Sequence, residues 1–264
     1  MFRLHTMSVL EFSGNDAGHF LHNQLSADIK NIAIGDAGFA CCCNPAGRVL
    51  GLLLVCPKED SILVVCSSSL ATSLVEWLSR FIIRADVKIK TREDLVVMAG
   101  EELPAGAFTV CDLDYAIVPA ADFSDTSTPS DEQAWKVNEL KKGIVWLDEE
   151  TSATFLPQML GYENIGALNF QKGCFPGQEI IARTRYLGKL KRRPLLVHSR
   201  DSVHLGTGAK VTLYSGEISN TAVVVDSASG ASGDEFLFLV ARIDEGTHPD
   251  RMEHEGQNIP ILTA

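Results

Sequence analysis

Gln171-Lys172-Gly173-Cys174-Phe175-Pro176-Gly177-Gln178-Glu179 sets a thiol, a cation, two glycines, a proline and a carboxamide–carboxylate pair within nine positions. Packing alone has no reason to require that mixture. Gly173 and Gly177 allow backbone angles closed to other residues, or close approach by a ligand. Pro176 stiffens the turn, and Gln178-Glu179-Ile180-Ile181-Ala182-Arg183 then reads as helix. Cys174 is expected just before a helix N-terminus and beside Lys172, two features that stabilise a thiolate and predict a lowered thiol pKa. For a lone cysteine, a small buried side chain in a tight turn is the better reading. The flanking Lys-Gly and Gly-Gln-Glu favour a functional thiol instead.

The run Lys-Gly-Cys-aromatic-x-Gly-Gln-Glu resembles the hallmark of the YgfZ family, folate-binding proteins linked to iron–sulfur cluster assembly or repair. That family is similar in fold to the aminomethyltransferase (T-protein) of the glycine cleavage system. The resemblance extends over most of the first 190 residues. Phe20-Leu21-His22-Asn23-Gln24-Leu25-Ser26-Ala27-Asp28-Ile29 is similar to a family segment with glycine where Asn23 stands, and asparagine tolerates left-handed backbone angles. Asn44-Pro45-Ala46-Gly47-Arg48 resembles the family turn that ends in Gly-Arg or Gly-Lys before a strand. Arg80-Phe81-Ile82-Ile83-Arg84-Ala85-Asp86-Val87 resembles its basic–aromatic lead into a strand.

The bulk composition agrees with a folded globular chain. The 264 residues, 45% hydrophobic and 22% charged, are enough for a large core and more than one compact unit. The longest apolar run, Val49 to Cys56, is far short of the roughly 20 residues of a membrane span. No signal-peptide core or transit segment is read at the N-terminus, which leads to an expected cytoplasmic location. Seven cysteines without Cys-x-x-Cys spacing, three of them consecutive at Cys41, Cys42 and Cys43, read mostly as small reduced core residues rather than metal ligands. His5, His19 and His22 also lack zinc spacing, so no metal site is expected.

The chain has 23 basic against 34 acidic residues, a net charge of −11, which disfavours non-specific nucleic-acid binding over most of the surface. One segment departs from this. Arg183, Arg185, Lys189, Lys191, Arg192 and Arg193 fall together with no acidic residue among them. The stretch reads equally as a local anion site or as a solvated helix end whose cations suit the helix dipole.

Along the chain, strands are expected at 7–12, 38–43, 48–56, 61–66, 85–90 and 95–99. A helix should run from Asn15-Asp16 to about Leu25, and Ser67 to Ser69 should cap another through Phe81. Leu70, Leu74, Trp77, Leu78 and Phe81 lie at helical spacing on it, which places Trp77 in the core. Residues 121–132 read as an exposed acidic loop, followed by a helix from about Gln133 to Lys142 that Gly143 ends. From Pro194 the pattern turns to short β runs at 195–198, 210–214, 221–226 and 235–242, a small all-β unit suggestive of a barrel. Gly206-Thr207-Gly208-Ala209-Lys210 lacks the ending of a phosphate loop and reads as a turn. The residues alone give α+β followed by a β module. The resemblance implies a T-protein-like folate-binding fold, with two related α+β subdomains around a central channel and a C-terminal β-barrel. The expected division is 1–190, with the second subdomain at about 45–120, and 194–264.

The resemblance also assigns roles. Trp135 falls where the family places a folate-associated tryptophan, and an indole offers a flat face to a pterin. The alternative is the buried side of its helix. Met7 falls near another folate-facing position, where its polarizable sulfur would replace an aromatic ring. Lys172 would meet a folate carboxylate or Cys174. Gln178 has the donor and acceptor to read a pterin edge, and Glu179 could accept from it or pair with Arg183 one helical turn on.

Three functions are weighed. The first is a tetrahydrofolate-binding accessory protein for iron–sulfur proteins, acting through Cys174, with an indirect effect on tRNA thiomethylation. The second is a one-carbon (aminomethyl) transferase. Cys66-Ser67-Ser68-Ser69-Leu70-Ala71-Thr72-Ser73 carries no carboxylate where that enzyme has its catalytic aspartate, which argues against it. The third is direct tRNA binding through residues 183–193.

Overall fold

The computed structural model describes every residue except 101–102, 105–106, 124–127, 189, 202, 245–246 and 264. The chain opens with β1 (Phe2–Arg3), β2 (Met7–Ser13) and α1 (Ala17–Gln24), then β3 (Gly38–Cys43), β4 (Val49–Pro57) and β5 (Ser61–Ser67). It continues through α2 (Ala71–Ser79), β6 (Lys88–Thr91), β7 (Leu95–Ala99), β8 (Phe108–Val110), β9 (Leu113–Pro119), α3 (Pro129–Lys141) and α4 (Gln178–Leu187). The remainder is β10 (Arg193–Ser199), β11 (Lys210–Ser215), β12 (Ile218–Ser229), β13 (Glu235–Ala241), β14 (Arg251–His254), β15 (Gln257–Pro260) and β16 (Leu262–Thr263).

These strands form three sheets. A five-stranded sheet has the order β3-β4-β5-β2-β6 and a four-stranded one β1-β7-β9-β8. The third has seven strands in the order β15-β14-β11-β12-β13-β10-β16. Its two outermost strands are separated in sequence by Ile261 alone, so the sheet must curl until its edges approach each other. This is the barrel-like module expected after Pro194, with three terminal strands that the sequence reading did not separate. A division at residue 45 would cut the β3–β4 hairpin, whose strands pair from Gly38↔Val55 to Cys43↔Val49 within one sheet. The four-stranded sheet instead takes up the chain at Leu95 and borrows β1 from the N-terminus.

The expected helix ends shift for local reasons. α3 starts at Pro129, four residues before Gln133, because Thr128 caps it in a reciprocal box with Asp131 and Pro129 fits the first turn. The exposed loop expected at 121–132 therefore ends early, and its centre, 124–127, lies outside the described residues. Gly143 follows α3 with φ +77°, as a helix-ending glycine should. Asn23 needs no left-handed backbone, since it lies within α1. The serines before α2 form a short 3-10 turn over Ser68–Leu70 and make no side-chain cap. Trp77 is half-buried rather than core, packed edge-on to Phe81 at 5.6 Å. Among the described residues, no helix is long and apolar enough to cross a membrane.

The main core gathers both faces of β3 and β4, which is why Cys41, Cys42 and Cys43 are all buried although neighbours on a strand point opposite ways. Cys56 and Cys66 are buried with them. A second core fills the curled sheet, around Val211, Leu213, Val224, Leu237, Leu239 and Met252.

Candidate functional site

The 171–179 segment is a mount for its cysteine. Asn169 Oδ1 accepts from the backbone N–H of Gln171 at 2.8 Å and of Lys172 at 3.0 Å, turning the chain. The Lys172 ammonium donates to the carbonyls of His22 and Leu25, capping the C-terminal end of α1. Burial, opposed in part by Asp28, lowers Lys172 to about 8. Phe175 is buried as the loop's apolar anchor. Gly177, at φ +82°, presses on the β3–β4 hairpin at Asn44 and Gly47. Cys174 is left exposed between these fixed points.

Several expectations for this segment are corrected. Lys172 serves neither Cys174 nor an open ligand site, because its ammonium is committed to the α1 carbonyls. Gly173 has no positive φ, and a Cβ there would meet nothing within 4 Å. Glu179 is exposed and forms no ion pair with Arg183; Arg185 pairs with Glu163 at 2.6 Å instead. The helix runs on to Leu187, beyond the expected Arg183. Lys189 of the basic stretch lies outside the described residues.

A cavity of about 360 Å³ opens elsewhere, where all three parts of the fold converge. The N-terminal segment and the end of β5 supply Leu4, Thr6, Met7 and Ser67 to Ser69; α3 supplies Glu132, Gln133, Trp135, Lys136 and Glu139. Trp146 and Asp148 come from the following loop, Thr207 from the turn before β11 and Asp226 from β12 of the curled sheet. Met7 and Trp135 both line the cavity. Lys172, Gly173, Cys174, Gly177, Gln178 and Glu179 do not line this cavity, since Lys172 and Gly177 tie their loop to α1 and the hairpin.

The cavity's electrostatics rest on side chains the sequence reading did not single out. Glu139 lies one helical turn from Trp135, on the same face. Its carboxylate accepts from Tyr115 Oη at 2.8 Å and Trp146 Nε1 at 3.1 Å. Complete burial nonetheless pushes Glu139 up to about 7, against those two bonds. Asp226 is pointed inward by an irregularity in the β12–β13 pairing between Val224 and Asp226. It meets Lys136 Nζ at 2.5 Å, and burial raises its pKa despite that cation. Thr207 donates to Asp148 Oδ2 at 2.5 Å, so the turn read in place of a phosphate loop still contributes to the site.

Trp135 is only 9% exposed and stands edge-on to both Phe2 and Tyr115. It is buried on its helix and also lines the cavity. Its Nε1 is buried without an acceptor at hydrogen-bond geometry, the Tyr115 hydroxyl being an electrostatic neighbour. On the opposite wall the serines satisfy one another: Ser67 Oγ lies 3.0 Å from Ser69 Oγ, and Ser8 donates to Ser68 Oγ at 2.9 Å. Among the described residues, no group of three or more His, Cys, Asp or Glu side chains is arranged to hold a metal ion.

The three-sheet arrangement is the fold of the glycine cleavage aminomethyltransferases. It superposes on the aminomethyltransferase T of Bartonella henselae with a TM-score of 0.71, covering 99% of this chain and 84% of that one at 15% identity. Residues 1–100 match the family described as the GCVT N-terminal domain. Within that fold class the chain is similar in sequence to YgfZ proteins. It is 25% identical over 227 residues to the tRNA-modifying protein YgfZ of Edwardsiella ictaluri, covering 73% of this chain and 69% of that protein. It is 27% identical over 216 residues to an uncharacterized protein of Haemophilus influenzae, covering 78% and 76%.

Proposed function

We propose that the chain binds tetrahydrofolate or a derivative in the cavity between α3, the end of β5 and the bulge of β12, and that Cys174 acts in the assembly or repair of iron–sulfur clusters in other proteins. The observation that carries the folate half is the cavity itself, a recess with Met7, Trp135 and Trp146 in its wall and a hydrogen-bonding floor. A pterin is flat, with donors and acceptors along one edge. The indole walls suit its faces, and the Glu139 carboxyl suits its edge. Bound there, the folate would supply a one-carbon carrier; the chain's own residues would orient it and exclude water.

The thiol half is supported by the way the 171–179 segment is built, fixed at Lys172, Phe175 and Gly177 so that Cys174 faces solvent. The tRNA-modifying names of the YgfZ relatives fit a role upstream of an iron–sulfur enzyme that modifies tRNA, in a cytoplasmic protein. Aminomethyl transfer is the weaker reading. Ser67 to Ser69 give the cavity hydroxyls, satisfied among themselves, where transfer needs a carboxylate beside the reacting pterin nitrogen.

Calorimetric titration of tetrahydrofolate into the wild type and Trp135→Ala tests the first half, with binding expected to weaken by about tenfold on losing the indole. A wild type that binds no folate ends this reading. Complementation with Cys174→Ala, scored by the activity of iron–sulfur enzymes, tests the second. Should folate bind while that variant behaves as wild type, the thiol has no such role.

A further inference from the structure

The C-terminal half of α4 presents large side chains that the fold leaves uncovered, Tyr186 at 66% and Leu187 at 84% exposure. They do not stand alone. The Arg185 guanidinium lies 4.0 Å from the Phe170 ring centroid and 5.6 Å from that of Tyr186. The two rings meet edge to face at 6.1 Å. Glu163 holds the same guanidinium at 2.6 Å, which fixes its plane. The result is a preformed stack of two rings and one cation, open to solvent on the Tyr186 side.

Two further features adjoin the stack. A cleft of about 520 Å³ beside it is lined by Asn164, Thr184, Arg185 and Arg193, side chains that offer both donors and acceptors. Arg183, Lys191 and Arg192 are exposed around it and make no ion pair among the described residues. The nearby acidic side chains are Glu163, already paired with Arg185, Glu179 at the far end of the helix, and Asp244, which lines a second cleft together with Lys191 and Arg242. On a chain of net charge −11 this is a local reversal of sign.

We infer that this face binds single-stranded RNA, with unpaired bases stacking on Tyr186 and Arg185 and phosphates meeting Arg183, Lys191 and Arg192. Positive charge alone would serve an acidic peptide as well. An exposed ring–guanidinium stack beside a polar cleft is what unstacked bases require, and every base has a face to offer it. The acidic remainder of the surface repels phosphates, which confines contact to this face and disfavours rigid duplexes that need a longer basic track. The inference stands apart from the folate reading, because neither the stack nor the cleft borders the folate cavity.

Fluorescence anisotropy with a labelled RNA hairpin bearing an unpaired loop tests it, against a blunt RNA duplex and polyglutamate as comparison probes. The loop RNA is expected to bind best, with log affinity falling linearly in log salt. Replacing Arg183, Lys191 and Arg192 together by Ala should lower that slope by about 2. Tyr186→Ala should weaken loop binding by about tenfold, and Tyr186→Phe, which keeps the ring, should restore it. These side chains face solvent, so thermal unfolding should be unchanged in every variant. Absence of loop binding at low salt overturns the inference. So does an affinity indifferent to Tyr186, and polyglutamate binding as tightly as RNA would assign the face to an acidic protein instead.

Discussion

Gly177 lies so close to Gly47 that a Cβ built on it would stand 2.6 Å from the Gly47 Cα, and equally 2.6 Å from the Asn44 carbonyl oxygen. With φ at +82°, Gly177 is barred from bearing a side chain on both counts. Gly177→Ala is expected to cost more than about 2 kcal/mol, while Gly173→Ala, with an ordinary φ and open space, stays within about 0.5 kcal/mol. Denaturant unfolding of the two variants separates them. Equal midpoints would mean that the loop is not seated on the hairpin as described.

Thiol accessibility gives a second check. Titration of the native protein with a chromogenic disulfide should show Cys174 reacting first and Cys111, half-buried, more slowly. The five buried cysteines should respond only on unfolding. Cys174→Ser should abolish the fast phase and leave the melting temperature unchanged. A fast phase that survives this substitution would place the reactive sulfur elsewhere.

Glu139 predicts a pH dependence. Burial raises its folded pKa from 4.5 to about 7, so between those values the native state holds a proton that the unfolded chain has released. Its stabilising contribution is complete below pH 4.5 and is lost as pH rises through about 7, a change on the order of 3 kcal/mol. Glu139→Gln keeps the acceptor oxygen for Tyr115 and Trp146 and should flatten this part of the curve. A wild type whose stability does not fall across that window relative to Glu139→Gln would show that the carboxyl is ionised in the native state.

The Lys136–Asp226 pair joins α3 to β12 at the cavity wall. Lys136→Met leaves a buried carboxylate without its cation, whereas Asp226→Asn removes the charge that needed one. The first is expected to cost several kcal/mol and the second clearly less. Chemical denaturation near pH 8, where Asp226 is most disadvantaged, is the measurement. The reverse order would mean that the pair does not share a desolvated environment.

What the sequence revealed follows from the range of the forces involved. The alternation of β2, the apolar runs of β3 to β5 and the Gly143 stop depend on neighbouring residues, and they read correctly. The Thr128-Pro129-Ser130-Asp131 cap was equally local and could have moved the start of α3. Glu139 carried a readable sign as well, being an acid on the same helical face as Trp135. Asp226 and Thr207 carried none, because they reach the cavity only when the curled sheet folds back against α3. Lys172 looked chemical from its neighbours, yet its partners are carbonyls about 150 positions earlier in the chain.

The burial of Cys41, Cys42, Cys43, Cys56 and Cys66 bears on how the protein withstands peroxide. Burial drives the thiols of Cys42, Cys56 and Cys66 to about 12, so they stay protonated and unreactive while the fold holds. Oxidants are thereby directed to the surface sulfur at Cys174, where a sulfenic acid can still be reduced by a small thiol. Half-buried Cys111 stands second in line, and the interior sulfurs keep their packing while the fold holds.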